Sequence, residues 1–135
     1  RLPTSDLMLL ASAVGEVSVV KAMIEQRAKV DCKEWRTDPH FQCVAGQQLV
    51  HVAAACGHVA MLTLLLRQRA HIEAQDDEGT TPLSWAMASG SAPAARLLMK
   101  SRANMETRNW LNASTLDVAV YLGRLELVEM LIASG

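Results

Sequence analysis

The spacing of four glycines constrains this chain more than any other feature of it. Gly57, Gly90 and Gly123 stand 33 residues apart, and Gly15 precedes Gly57 by 42, the same interval lengthened by nine. A fixed period of this length means that one small structural unit is copied and stacked. The clearest copy is Glu78-Gly79-Thr80-Thr81-Pro82-Leu83-Ser84-Trp85-Ala86-Met87-Ala88-Ser89-Gly90. Thr81 suits a helix N-cap, and Pro82 takes the first helical position, where its missing N–H costs nothing. Gly90 then closes a short helix. In register, the four helix starts read Asp6-Leu7-Met8-Leu9, Gln48-Leu49-Val50-His51, Thr81-Pro82-Leu83-Ser84 and Ser114-Thr115-Leu116-Asp117. Gln48 stands where a hydroxyl cap is expected, so its helix should start less firmly by about 1 kcal/mol.

These pieces resemble the ankyrin-repeat family, whose unit is a β-turn and two helices carrying T-P-L-H-x-A. The resemblance is carried by Thr81-Pro82-Leu83, by His51-Val52-Ala53-Ala54 with Gly57-His58, and by Ala70-His71-Ile72-Glu73-Ala74-Gln75-Asp76 leading to Gly79. It spans nearly the whole chain. It implies an all-α solenoid of helix-turn-helix repeats with β-hairpin fingers. One domain over 1–135 is expected, with repeats at about 4–34, 45–77, 78–110 and 111–135. An insertion at about 35–44 enlarges the first finger and holds the one phenylalanine, Phe41. Helix pairs are expected at about Leu7–Val14 with Val17–Gln26, and from Gln48 to about Arg67. Pro93 falls in the harmless first turn of the third unit's second helix.

Composition narrows the function. A net charge of −1 removes the long-range pull on which nucleic acid or an anionic membrane relies. No apolar run reaches spanning length. Three cysteines, without framework spacing or a signal peptide, favour a reducing intracellular compartment, cytoplasmic or organellar. The opening on Arg1 and the stop at Ala133-Ser134-Gly135 read as cut ends. The first and last units also lack the polar outer faces of terminal repeats.

One departure from the family recurs. Its left-handed glycine after the second helix is replaced by Arg27, Arg69 and Arg102, where a Cβ costs about 1–2 kcal/mol. Solvated arginines capping helix carbonyls are the plain reading, and a carboxylate-binding edge is the sharper one. Asn112 stands in for a turn glycine, which explains Asn112-Ala113-Ser114 without glycosylation. Asp76-Asp77-Glu78 lacks calcium-loop spacing and reads as a solvated turn. Cys32, His40 and Cys43 with His71 could be imagined around zinc, but their spacing fits no zinc motif, so no metal is expected. A disulfide in that hairpin needs an oxidising compartment.

The resemblance directs attention to the finger tips and the inner face of the first helices. Trp35 and Trp110 share one finger position, and exposed tip aromatics serve as contact anchors. The inner positions before the closing glycines are Ala13-Val14, Ala55-Cys56, Ala88-Ser89 and Tyr121-Leu122, small and largely apolar. Either they form a dry groove for a stable protein partner or the fingers fold over them. Trp85 is expected to pack between repeats. His51 and His58 match the family's structural histidines, so neither is a catalytic candidate. No nucleophile elbow, phosphate loop, paired-cysteine motif or metalloprotease helix occurs.

The expected function is therefore a non-catalytic module, without cofactor, binding another protein through Trp35, Phe41, Trp85, Trp110 and Tyr121. Nucleic acid and membrane insertion are not expected. Two alternatives stand beside it: a peripheral subunit of a larger, membrane-associated complex, and a regulatory ankyrin segment of a larger enzyme or channel.

Overall fold

The computed structural model describes residues 11–25 and 48–134, with the side chains of Met23 and Ile24 excepted. Residues 11–14 are helical and end on Gly15. Seven further helices follow among the described residues: α1 (Val17–Glu25), α2 (Leu49–Cys56), α3 (Val59–Arg67), α4 (Pro82–Ser89), α5 (Ala92–Lys100), α6 (Thr115–Tyr121) and α7 (Leu125–Ser134). They pack as the period dictates. Within a unit α2 lies on α3, α4 on α5 and α6 on α7, while between units α2, α4 and α6 form one layer and α1, α3, α5 and α7 the other. Asp6, the start near Leu7, Arg27 and the insertion at 35–44 lie outside the described residues.

Small side chains set the close spacing of the first layer. Ala53, Ala86 and Ala119 occupy one register position and are fully buried. Larger side chains fill the space between layers, where Leu49, Met61, Leu62, Leu65, Leu83, Met87 and Leu98 are buried. Truncating a buried leucine of this kind to alanine costs about 2–5 kcal/mol. Each helix is far too short to be stable alone, so the stack is held by these side chains.

Helix starts follow the sequence. The Thr81 hydroxyl accepts the Ser84 N–H at 3.3 Å, and Ser114 and Asp117 form a capping box, with the Asp117 N–H on the Ser114 hydroxyl at 3.2 Å. Asp117 returns the favour by accepting the Ser114 N–H at 2.8 Å and its hydroxyl at 2.9 Å. Those bonds, from the backbone first, and Arg108 beyond them hold the Asp117 carboxyl below its ordinary value. Gln48 is the exception. Its side chain is set toward the His51 N–H in a capping box, but the buried Oε1 closes no bond within hydrogen-bond distance. The firm half of that box is His51, whose Nδ1 accepts the Gln48 N–H at 3.1 Å.

Glycine closes helices for two reasons at once. Gly15, Gly57 and Gly90 have φ of 86, 74 and 78°, which disfavours other residues. The residue after each later glycine also reaches back over the preceding unit. His58 Nε2 donates to the Ala13 carbonyl at 2.6 Å, Ser91 Oγ to Ala55 at 3.5 Å and Arg124 Nη2 to Ala88 at 3.0 Å. A Cβ on Gly15 would come within 2.8 Å of the His58 ring. Arg69 and Arg102 do sit in the left-handed region, at φ of 62 and 66°, as the departure from glycine implied.

The β-hairpin detail expected of the fingers is not confirmed. Among the described residues there is no strand, and the loops after α3 and α5 are successions of turns. One antiparallel backbone bond closes each tip, Asp76 N–H to the Thr80 carbonyl at 3.1 Å and Asn109 N–H to Ala113 at 3.0 Å. The return N–H groups are taken by the Asp76 and Asn109 side chains, which leaves no ladder to extend.

Candidate partner-binding face

The two described fingers are copies of one device. Asp76 Oδ1 accepts the N–H groups of Glu78 and Thr80, each at 2.9 Å, and Asn109 Oδ1 accepts those of Leu111 and Ala113, each at 3.0 Å. Both tips then turn through a left-handed residue, Gly79 at φ 74° and Asn112 at φ 60°. The asparagine is thus a turn residue, as read from the sequence. Asp76 is not a merely solvated acid. It is 5% exposed, and its second oxygen Oδ2 accepts the indole N–H of Trp85 at 2.9 Å.

His51 fixes the root of this finger to the helix layer. Because Nδ1 accepts a hydrogen bond from the Gln48 N–H, Nε2 carries the ring hydrogen and shares it between the carbonyls of Ala74 at 2.8 Å and Thr80 at 3.0 Å. Burial pushes the imidazole pKa down, outweighing the Thr80 carbonyl and the nearby Asp76 charge, so the neutral ring is the structural one. The family-structural role expected of His51 and His58 is what their bonds show: both His51 nitrogens are engaged, and His58 spends Nε2 on the Ala13 carbonyl.

The fingers are joined to each other. The Trp110 N–H donates to the Glu78 carbonyl at 3.0 Å, and Glu73 Oε1 accepts the Asn104 N–H at 2.6 Å. Trp110 remains 75% exposed. Its ring lies on Gly79, where a Cβ would come within 2.7 Å of Cδ1. A large exposed aromatic is thereby held against backbone instead of swinging freely.

The inner face is open at the positions read from the sequence. Val14, Cys56, Ser89 and Leu122 are exposed, with Ala13, Ala55 and Ala88 half-buried beside them. The described fingers do not cover them. Tyr121 stands 89% exposed at the end of α6. Cys56 is free, and partial burial pushes its thiol pKa up, which makes it a poor nucleophile. Trp85 is half-buried within α4, tied to Asp76 and facing less solvent than Trp110 or Tyr121. Trp35 and Phe41 lie outside the described residues, as do Cys32, His40 and Cys43.

Sequence reasoning missed two residues here. Asp76 was legible only through its bond to a side chain nine positions later, although the recurrence of Asp76 and Asn109 at the 33-residue period marks a shared turn. Gln48 gave no signal beyond being an odd cap. Among the described residues, no three His, Cys, Asp or Glu side chains gather as a metal site, and no helix is long and apolar enough to cross a membrane.

Comparison with known proteins agrees with this geometry. A family model described as ankyrin repeats matches residues 7–109 and 51–135. Mouse protein phosphatase 1 regulatory subunit 12A is 33% identical over 93 residues, 66% of this chain and 9% of that protein. An ankyrin repeat protein of Rickettsia bellii is 28% identical over 127 residues, 93% of this chain and 65% of its own length. An ADP-ribosylation factor GTPase-activating protein of Arabidopsis thaliana is 32% identical over 90 residues, covering 67% of this chain and 12% of that protein. The chain thus spans about a tenth of the length of the phosphatase subunit and GTPase-activating relatives.

Proposed function

Because the chain belongs to the ankyrin-repeat family, whose repeats generally mediate protein–protein interaction, we propose that it is a non-catalytic module gripping one protein partner between its finger tips and the inner face of its first helices. The observation that carries this reading is Trp110, three-quarters exposed yet seated on Gly79 and bonded to the neighbouring finger. An aromatic already fixed in place loses little freedom on binding, so most of its buried area contributes to affinity. Trp35 and Phe41 on the enlarged finger, Trp85 and Tyr121 on the inner face complete the proposed anchors. The four repeats would act as one domain, at about 4–34, 45–77, 78–110 and 111–135, with the insertion at 35–44 widening the grip.

The test is a paired substitution. Trp35→Ala with Trp110→Ala should weaken partner binding by about tenfold or more while leaving helical circular dichroism unchanged. Partners are identified first by cross-linking mass spectrometry of the native chain, comparing Lys29 and Lys33 beside the first finger with Lys21 and Lys100 on the second helices. Unaltered affinity in the double variant would move the site off the fingers. A second reading, a regulatory segment of a larger protein, is favoured by the relatives, one a phosphatase regulatory subunit and one a GTPase-activating protein, of which the chain matches only a small part.

A further inference from the structure

A groove of about 410 Å³ lies between α3 and α5, on the second-helix layer, and none of its lining residues comes from a finger tip or an inner helix. The half-buried Leu66, Ile72 and Leu97 give it an apolar floor, and Arg67, Ala70 and Ser101 are among its walls. The charges around it have one sign. Residues 59–72 and 92–105, which are α3, α5 and the turn after each, hold Arg67, Arg69, Arg96, Lys100 and Arg102 and no aspartate or glutamate. All five cations are exposed. Arg69 adjoins Ala70 of the groove wall, and Lys100 and Arg102 flank Ser101. The neighbouring helices α1 and α7 carry Glu25 and Glu129, but neither pairs with these cations; among the described residues the salt bridge formed is Arg108 with Asp117.

Arg67 and Lys100 stand in the last turns of their helices, where the helix dipole accounts for a cation. Arg69 and Arg102 need another reason. Each holds a left-handed backbone, at φ 62 and 66°, that a Cβ disfavours and a glycine would relieve. Capping of helix carbonyls does not offset this, because among the described residues the arginine side chains that donate hydrogen bonds are those of Arg108 and Arg124. Strain that nothing inside the fold compensates marks a position held for contact with something outside it. Here it recurs on adjacent units, each time with a guanidinium beside the same apolar groove.

We infer that this groove is a second docking site, which takes an acidic segment of a partner protein. One apolar side chain of that segment rests on Leu66, Ile72 and Leu97, and the carboxylates flanking it meet Arg67, Arg69, Lys100 and Arg102. A guanidinium fork matches a carboxylate with two parallel hydrogen bonds. Nucleic acid or a lipid headgroup suits the site less well, because phosphates would engage the cations and leave the apolar floor in water. The groove shares no residue with the finger face, so it stands independently of that reading.

The experiment titrates the isotope-labelled chain with three peptides: acetyl-Glu-Glu-Leu-Glu-Glu-amide, its uncharged counterpart acetyl-Gln-Gln-Leu-Gln-Gln-amide, and acetyl-Glu-Glu-Gly-Glu-Glu-amide, which keeps the charge and lacks the apolar side chain. The first should shift the Leu66, Ile72 and Leu97 methyl resonances saturably, and each of the others should bind about tenfold more weakly. Arg67→Glu with Lys100→Glu should abolish the shifts while leaving helical circular dichroism unchanged. Arg69→Gly with Arg102→Gly should weaken the first peptide by about tenfold and raise the melting temperature, since it removes both the charge and the strain. Shifts confined to other residues, equal binding of the glutamine peptide, or undiminished affinity in either double variant would each overturn the inference. Equal binding of the glycine peptide, with inorganic polyphosphate shifting the same arginine resonances, would make the groove a phosphate site and overturn it too. The paired tryptophan substitution leaves this groove untouched, so failure of the finger reading and failure here are separate results.

Discussion

Replacing Asp76 with asparagine tests whether one carboxylate organises the second finger. Asparagine can keep Oδ1 on the Glu78 and Thr80 N–H groups, as Asn109 does for Leu111 and Ala113. It cannot keep the other contact. The amide would set an NH₂ against the Trp85 indole N–H, now accepted at 2.9 Å by Oδ2, and two donors would face each other. A part-buried hydrogen bond to a charged group contributes about 1.5–3 kcal/mol, so Asp76→Asn should destabilise by about 2 kcal/mol. Asp76→Ala, which removes all three bonds, should cost more. The register explains why asparagine suffices in the third finger: the position one period beyond Trp85 is Val118, which has no N–H to satisfy. The assay is urea unfolding followed by circular dichroism, repeated with Trp85→Phe. In the Trp85→Phe background the cost of Asp76→Asn should shrink to a few tenths of a kcal/mol, because the opposing donor is gone. Equal costs in both backgrounds would refute the argument that the carboxylate is there for the indole.

Two further outcomes follow from other sites. His51 has a folded-state pKa lowered below its ordinary 6.5, so the unfolded chain binds the proton first as pH falls. Its contribution to stability is intact above pH 6.5 and is lost as pH drops toward the folded value, at up to about 1.4 kcal/mol per pH unit. Urea midpoints at neutral and mildly acidic pH should therefore diverge in the native chain and less so in His51→Gln; parallel slopes would show that another group is responsible. Gly15→Ala and Gly123→Ala impose similar left-handed strain, at φ 86 and 67°, but only the first meets a neighbour, the His58 ring, while nothing lies within 4 Å of the second. Gly123→Ala should cost about 1 kcal/mol and Gly15→Ala at least about 1 more, read from thermal or urea melts; equal losses would show that the His58 contact yields freely.

Where a residue acts through its own backbone, the sequence sufficed. Thr81, Ser114 and the closing glycines announce helix starts and stops because their effects reach only three or four residues. The period then placed α2 to α7 without knowledge of any tertiary contact. Residues whose work depends on a distant side chain were not legible in that way. Asp76 reads as a charged turn until Trp85 is set beneath it, and Gln48 reads as a weak cap until its oxygen is found enclosed. The β-hairpin form of the fingers was expected from resemblance and is not confirmed; at both described tips the returning N–H, of Thr80 and of Ala113, goes to the Asp76 or Asn109 side chain. For the candidate site, Trp110 and Tyr121 were found as exposed aromatics from position alone, whereas the seat that holds Trp110 on Gly79 could not be seen without the fold.

The hooks from His58, Ser91 and Arg124 bear on how such a chain can change over generations. Each reaches a main-chain carbonyl two residues before a glycine, so the earlier unit offers the same acceptor whatever its side chains are. An imidazole, a hydroxyl and a guanidinium all serve, and none needs a matched partner. The receiving side is therefore constrained only at the glycine itself, where a Cβ would crowd the incoming side chain at 2.8 to 3.2 Å. Units joined in this manner can be duplicated or exchanged at this seam as long as the receiving unit keeps its glycine.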